Sequence, residues 1–207
     1  MWTAAQIKRH IARLPSGQIF TTRELLCYGY RAAVDQTLYR LVKSGSIKRL
    51  ARGVFIASHA LGALPTPFQV ASAKARAFAK EVFCYGRDAA RSLGFHQAAG
   101  GEVVYATNGA TSSFVYGGIV IHLRRLAPRK TAMGDGQVGL VIRALWYFGK
   151  DQCDQVTTRK ATSAFGRNER LEVTRHAGLM PGWMTVQLLI NSFKPWTGKD
   201  ERKRLLL

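Results

Sequence analysis

Ala32, Ala33, Gln36, Tyr39, Arg40 and Lys43 share one side of a helical wheel drawn over residues 31–43, with Arg31 at its start. Small residues let a helix approach a surface closely, an amide reads a base edge, and guanidinium and ammonium groups reach guanine or phosphate. The chemistry this set suits is therefore recognition of a double-stranded DNA groove. Lys48, Arg49 and Arg52 follow within a few residues and add cations for phosphate contact.

Other groups show no comparable convergence. Cys27, Cys84 and Cys153 are odd in number, widely spaced and without a CxxC pair, so they frame neither disulfides nor a zinc site. The five histidines are equally scattered, and the acids show no spacing that a reaction template demands. No catalytic residue, metal ligand or cofactor is expected. Glycines in YATNGATSSFVYGG sit between strand patterns and read as turns, because a phosphate loop must join a strand to a helix start. Trp146, Tyr147 and Phe148 read as core on an apolar helix. Arg124, Arg125, Arg129 and Lys130 surround Pro128 after a strand, which makes them either a solvated loop or a second contact to phosphate backbone.

The elements that must position the first set can be read around it. Val34, Leu38, Leu41 and Val42 recur at the period of a helix with one buried stripe, and Ser44 and Gly45 stop it. IKRLA and VFIA then alternate around Arg52 and Gly53 as a tight hairpin. Upstream, Ile7, Ile11 and Leu14 predict a first helix over residues 3–14, and residues 18–20 a short strand. Thr21 with Glu24 predicts a capping box for a second helix carrying Leu25 and Leu26, with a turn over residues 27–30. Helix, strand, helix, turn, helix and two-stranded wing is the winged helix-turn-helix order.

This domain is expected to close at residue 57. Residues 58–67, SHALGALPTP, read as a linker. A mixed helix-rich α+β domain with a small antiparallel sheet is expected over residues 68–196, and a basic tail over 197–207. Within it, Val70, Ala73, Ala77 and Phe78 point inward from a first helix, VFCY is a buried strand and GRDAARSLGF a short helix. VVYAT, SSFVY and IVIHL are strands, the first two joined across Asn108 and Gly109 and the last two across Gly117 and Gly118. A helix follows with Val138, Ile142 and Leu145 as its stripe and Trp146 at the edge. Pro181 opens the last one.

Composition agrees with a polyanionic partner. Of 207 residues, 31 are Lys or Arg against 12 acids, for a formal charge of +19, and 47% hydrophobic content suffices for packed cores. Residues 1–57 hold ten of those cations and only Glu24 and Asp35 as acids. No apolar run approaches the roughly 20 residues of a membrane span, and the N-terminus lacks the pattern of a signal peptide. A cytoplasmic protein is expected.

AAVDQTLYRLVKSGSIKRLARGVF, followed by AKARAF, GRDAARSLGF, YATNG, the I-IHLRR segment and MPGWM, resembles the AbiEi family of antitoxins from type IV toxin–antitoxin systems. The resemblance covers nearly the whole chain. It implies a winged helix that binds inverted repeats in its own promoter and represses it, with two protomers binding cooperatively. It also implies a second domain that opposes a nucleotidyltransferase toxin, without implying direct contact between the two proteins. Gln36, Tyr39, Arg40 and Lys43 would then be groove contacts and Arg49 and Arg52 wing contacts; no catalytic residue carries over. Two other readings compete: a stand-alone transcriptional regulator of a mobile element, and a nucleic-acid-processing enzyme such as a nuclease. A nuclease would need a metal and carboxylates near a lysine, absent from the strand patterns of residues 103–123.

Overall fold

The computed structural model of the chain describes residues 2–15, 17–58, 64–95 and 102–192. Its architecture is α+β, with two small sheets. Two compact units divide it. One comprises Met1–Val82 and Gly109–Arg124, the other Phe83–Asn108 and Arg125–Leu207.

The first unit opens with α1 (Trp2–Ala12), β1 (Ile19–Thr21) and a 3₁₀ helix (Arg23–Tyr28). Helix α2 (Arg31–Lys43) and the strands β2 (Ile47–Ala51) and β3 (Val54–Ala57) then follow with the bounds the sequence predicts. The sheet order is β1-β3-β2, both pairings antiparallel, so the hairpin is a wing laid beside β1. Ile7, Phe20, Leu25, Val34 and Leu38 meet in one core. Each large side chain buried there contributes on the order of 1.5–3 kcal/mol. Thr37 joins the buried face of α2 because its hydroxyl donates to the Ala33 carbonyl at 2.7 Å, which satisfies it away from water.

The expected capping box takes another form. Thr21 is held in the ladder opposite Val54 and cannot serve as the half-in residue of a helix, so its hydroxyl donates to the Glu24 carboxylate at 3.0 Å instead. Thr22 is the cap residue, with no side-chain cap bond, and the turn expected over residues 27–30 begins only after Tyr28.

The outer face of the wing sheet is covered too. α3 (Pro67–Arg76) sets Val70 and Ala73 against Ile19, Leu50, Val54 and Ile56, with Phe114 and Tyr116 packed beside them. The latter two lie on β6 (Ser112–Tyr116), which pairs antiparallel with β7 (Ile119–Arg125). The compact unit is thus larger than residues 1–57. Of the expected linker, residues 59–63 lie outside the described residues. Thr66 and Pro67 belong to the start of α3, where Thr66 and Gln69 form a reciprocal capping box. The helix ends at Arg76, so the inward period does not extend to Phe78, which is 60% exposed.

β6 is not joined to the preceding strand β5 (Val103–Thr107) as a hairpin. A two-residue type I′ turn needs positive φ at both positions. Gly117 and Gly118 have it, at 59° and 81°, whereas Asn108 and Gly109 do not. The division between the units falls between Asn108 and Gly109.

The second unit contains α4 (Gly86–Ser92), α5 (Pro128–Thr131), α6 (Gln137–Phe148), α7 (Gln155–Ala161), α8 (Arg167–Arg175) and α9 (Gly182–Ser192). The division between the units also falls within the two-residue strand β4 (Val82–Phe83). Val138, Ile142 and Leu145 pack with Val173, Met184 and Leu188 as its core, and Trp146 and Phe148 lie against that core half-buried. Tyr147, expected with them, is 45% exposed. Residues 193–207, with the expected tail, lie outside the described residues. Among the described residues, no helix is long and apolar enough to cross a membrane.

Candidate nucleic-acid interface

Helix α2 presents the predicted set as one surface. Arg31, Ala32, Ala33, Gln36, Tyr39, Arg40 and Lys43 are all exposed, while Val34, Thr37, Leu38 and Leu41 hold the opposite face in the core. A Schellman motif ends the helix: the Ser46 amide donates to the Leu41 carbonyl at 2.9 Å and the Gly45 amide to Val42 at 3.0 Å. Arg40 and Lys43 lie in the last turn, where the helix dipole favours cations. Arg31 lies in the first turn, where the dipole disfavours it, and its Nε is paired with Asp35 at 2.7 Å. Being exposed, that ion pair contributes no more than about 0.5 kcal/mol.

The wing holds Lys48, Arg49 and Arg52 exposed. Gly53 takes φ +76° in the two-residue turn. Leu50, opposite no partner at a bulge between Arg49 and Ala51, points into the covered outer face. Both carbonyls of the turn are bound. Gly53 accepts from the Thr22 amide at 3.0 Å, and Arg52 accepts from the Lys74 ammonium at 3.3 Å. Arg49 Nε donates to the Ala51 carbonyl at 3.4 Å, along its own strand. The wing turn is therefore tied at both residues. Among the described residues, Arg40, Lys43, Lys48 and Arg52 have no carboxylate partner.

Between α2, the wing and α3 runs a groove of about 440 Å³, lined by Arg23, Arg31, Arg49, Arg52 and Lys74, with Asp35 as its one acid. Arg23 stacks over the Phe78 ring at 5.0 Å. Lys74 is half-buried; loss of water pushes its pKa down, and the nearby Arg52 charge pushes the same way. Reasoning from the sequence singled out neither Arg23 nor Lys74. Only the packing of α3 on the wing sheet brings Lys74 here.

Of the four cations around Pro128, Arg124 and Arg125 end β7 rather than follow it, and the four are not gathered in one unit. Arg124 belongs to the first, and Arg125, Arg129 and Lys130 to the second. Arg124, Arg125 and Arg129 are exposed, but Pro128–Thr131 is a helical turn rather than a loop, and Lys130 lies over the Trp146 ring at 5.0 Å.

The second unit holds one further set of ionisable groups. Arg143 is fully buried, donating from Nε to the Cys84 carbonyl at 2.9 Å and from Nη1 to that of Gly134 at 2.7 Å, with Asp135 at 3.5 Å from Nη2. Burial pushes the neighbouring Cys84 thiol up and the Tyr105 phenol up to about 12. Those directions keep both groups protonated, the reverse of what an activated nucleophile needs. Among the described residues, no three His, Cys, Asp or Glu side chains are grouped to hold a metal ion.

A family model described as a family of unknown function, DUF6088, matches residues 6–173. No curated protein and no solved structure matches the chain.

Proposed function

We propose that this chain, which belongs to DUF6088, is a DNA-binding autorepressor and the antitoxin of a type IV toxin–antitoxin system of the AbiE kind. It binds inverted repeats in double-stranded DNA as a cooperative dimer, acts in the cytoplasm without a cofactor and catalyses no reaction. Its functional partner is a nucleotidyltransferase toxin. The carrying observation is the outer face of α2, where Ala32, Ala33, Gln36, Tyr39, Arg40 and Lys43 are exposed together beside a wing tied at both turn residues. A helix face of this composition fits a major groove, and a rigid wing fits the adjoining backbone. The antitoxin half of the proposal is supported by the resemblance of the AAVDQTLYRLVKSG, GRDAARSLGF and MPGWM segments to AbiEi proteins.

Titration of the full chain with duplex DNA at several salt concentrations tests the DNA reading. With six to eight phosphate contacts, the logarithm of the binding constant falls against that of salt with a slope of about −5 to −7. A slope near zero overturns it. Growth of cells expressing a nucleotidyltransferase toxin of the AbiE kind, with and without this chain, tests the antitoxin reading; absence of rescue leaves a stand-alone regulator.

A further inference from the structure

The groove beside the wing holds five cations and one carboxylate, and that carboxylate already binds Arg31. Like charges this close repel one another, and a structure keeps them together only at a cost that an anion relieves. Lys74 bears part of that cost. It has surrendered part of its hydration, the Arg52 charge acts against its own, and its ammonium donates to a neutral carbonyl, that of Arg52, and lies 5.6 Å from the centre of the Phe114 ring. A charged acceptor there would bind more strongly than that carbonyl does. Arg23 approaches the same groove from the 3₁₀ helix, its exposed guanidinium over the Phe78 ring at 5.0 Å.

Resting on the DNA-binding reading above, we infer that Lys74, Arg23 and Arg52 form a subsite for one backbone phosphodiester of the bound duplex, at the base of the wing. The groove opens beside the exposed faces of α2 and the wing, so a strand running from the helix toward the wing passes over it. α3 is thereby part of the DNA-binding surface, although it follows the winged helix in sequence. The contact is to phosphate only. It sets the register of the protein on the duplex and adds affinity on every sequence alike.

The test compares the full-length chain with Lys74→Ala, Lys74→Arg, Arg23→Gln and the unchanged protein, by fluorescence anisotropy on operator and unrelated duplexes across a range of potassium chloride. Lys74→Ala and Arg23→Gln should each reduce the magnitude of the salt slope by about 0.9, the release of one counterion, and weaken both duplexes by the same factor. Lys74→Arg should restore the slope. Arg23→Gln leaves the tether between Lys74 and Arg52 in place, so its slope reports phosphate contact separately from wing anchoring. Unchanged slopes in Lys74→Ala and Arg23→Gln, beside a steep slope in the unchanged protein, overturn the subsite while leaving DNA binding intact. A flat slope in the unchanged protein overturns the DNA reading itself. A calorimetric arm titrates inorganic pyrophosphate into the free chain; saturable binding lost in Lys74→Ala, together with unchanged salt slopes on DNA, would assign the groove to a free phosphoryl ligand and overturn the diester.

Discussion

Arg143 Nε lies 2.9 Å from the carbonyl oxygen of Cys84, so a fully buried guanidinium fastens the segment after β4 to α6. Its Nη1 does the same for Gly134, and its face lies over the Phe83 ring at 5.0 Å. Arg143→Met keeps much of the volume but leaves two carbonyls without a donor. At roughly 1–3 kcal/mol for each of the two orphaned groups, the variant should lose about 2–6 kcal/mol of unfolding free energy in urea. Lys should rescue only part, since one ammonium cannot reproduce the fork. A loss below about 0.5 kcal/mol would show that the cross-link does not hold the unit.

On α2, Gln36→Ala and Arg40→Ala should each cost about 1–3 kcal/mol on the operator and much less on unrelated duplexes, because their exposed ends are the groups able to read base edges. Arg52→Ala should weaken all sequences alike. Competition binding against random duplex separates the two patterns. Operator discrimination unchanged in Arg40→Ala would mean that another face of α2 enters the groove.

How early each feature could be read follows from the range of the forces that make it. Residues 31–57 were legible because every determinant is local: the period of Val34 and Leu38, the Ser44–Gly45 stop, and the alternation around Arg52 and Gly53. The role of α3 was not. Val70 and Ala73 carry the same pattern whether they pack on the wing sheet or within a second domain, and nothing near them names Leu50 and Ile56 as partners. Asn108 and Gly109 misled for a related reason, since a turn dipeptide states what the backbone tolerates rather than which strands pair. Arg143 is concealed within an apolar helix, where a single cation reads as the solvent face. Lys74 and Arg23 became site residues only through those unread contacts.

Asp35 is the one acid of the groove, and its carboxylate occupies Arg31. Asp35→Asn should tighten binding to all duplexes and steepen the salt dependence, because Arg31 becomes available to phosphate and a repelling charge is removed. The stability cost should stay near 0.3–0.5 kcal/mol, as for an exposed pair one helical turn apart. Weaker binding in this variant would place the pair on the DNA-facing surface as a structural brace for Arg31.

The three thiols should react with iodoacetamide in a fixed order. Cys27 is exposed and should be modified first. Cys84 is half-buried with its pKa pushed up by burial, and should follow slowly. Cys153 is buried, its thiol held near 12 by burial and by Asp154, with its Sγ donating to the Leu145 carbonyl at 3.3 Å. A raised thiol pKa means less thiolate at pH 8, so Cys153 should stay unmodified until the chain unfolds. Mass spectrometry of timed samples gives the order, and early modification of Cys153 would contradict its packing.

The wing sheet has two apolar faces, and cutting the chain at residue 58 removes the cover from one of them. Ile19, Leu50, Val54 and Ile56 are all at most 9% exposed, and their neighbours Val70, Ala73, Phe114 and Tyr116 lie beyond that cut. Uncovering four aliphatic side chains forfeits on the order of 1.5–3 kcal/mol each, a total comparable to the whole stability of a small domain. The Lys74 tether to the Arg52 carbonyl goes with them. A fragment of residues 1–58, although it contains the entire winged helix, should therefore show no cooperative thermal transition and should self-associate through the bared sheet face. Extending it to residue 82 returns α3 and should recover a broad transition below that of the full chain, because Phe114 and Tyr116 are still missing. Circular dichroism melts beside light scattering on the three lengths make the comparison. A sharp melt of the 1–58 fragment within a few degrees of the full chain would show that the winged helix stands on its inner core alone, with α3 and the β6–β7 hairpin as appendages to it.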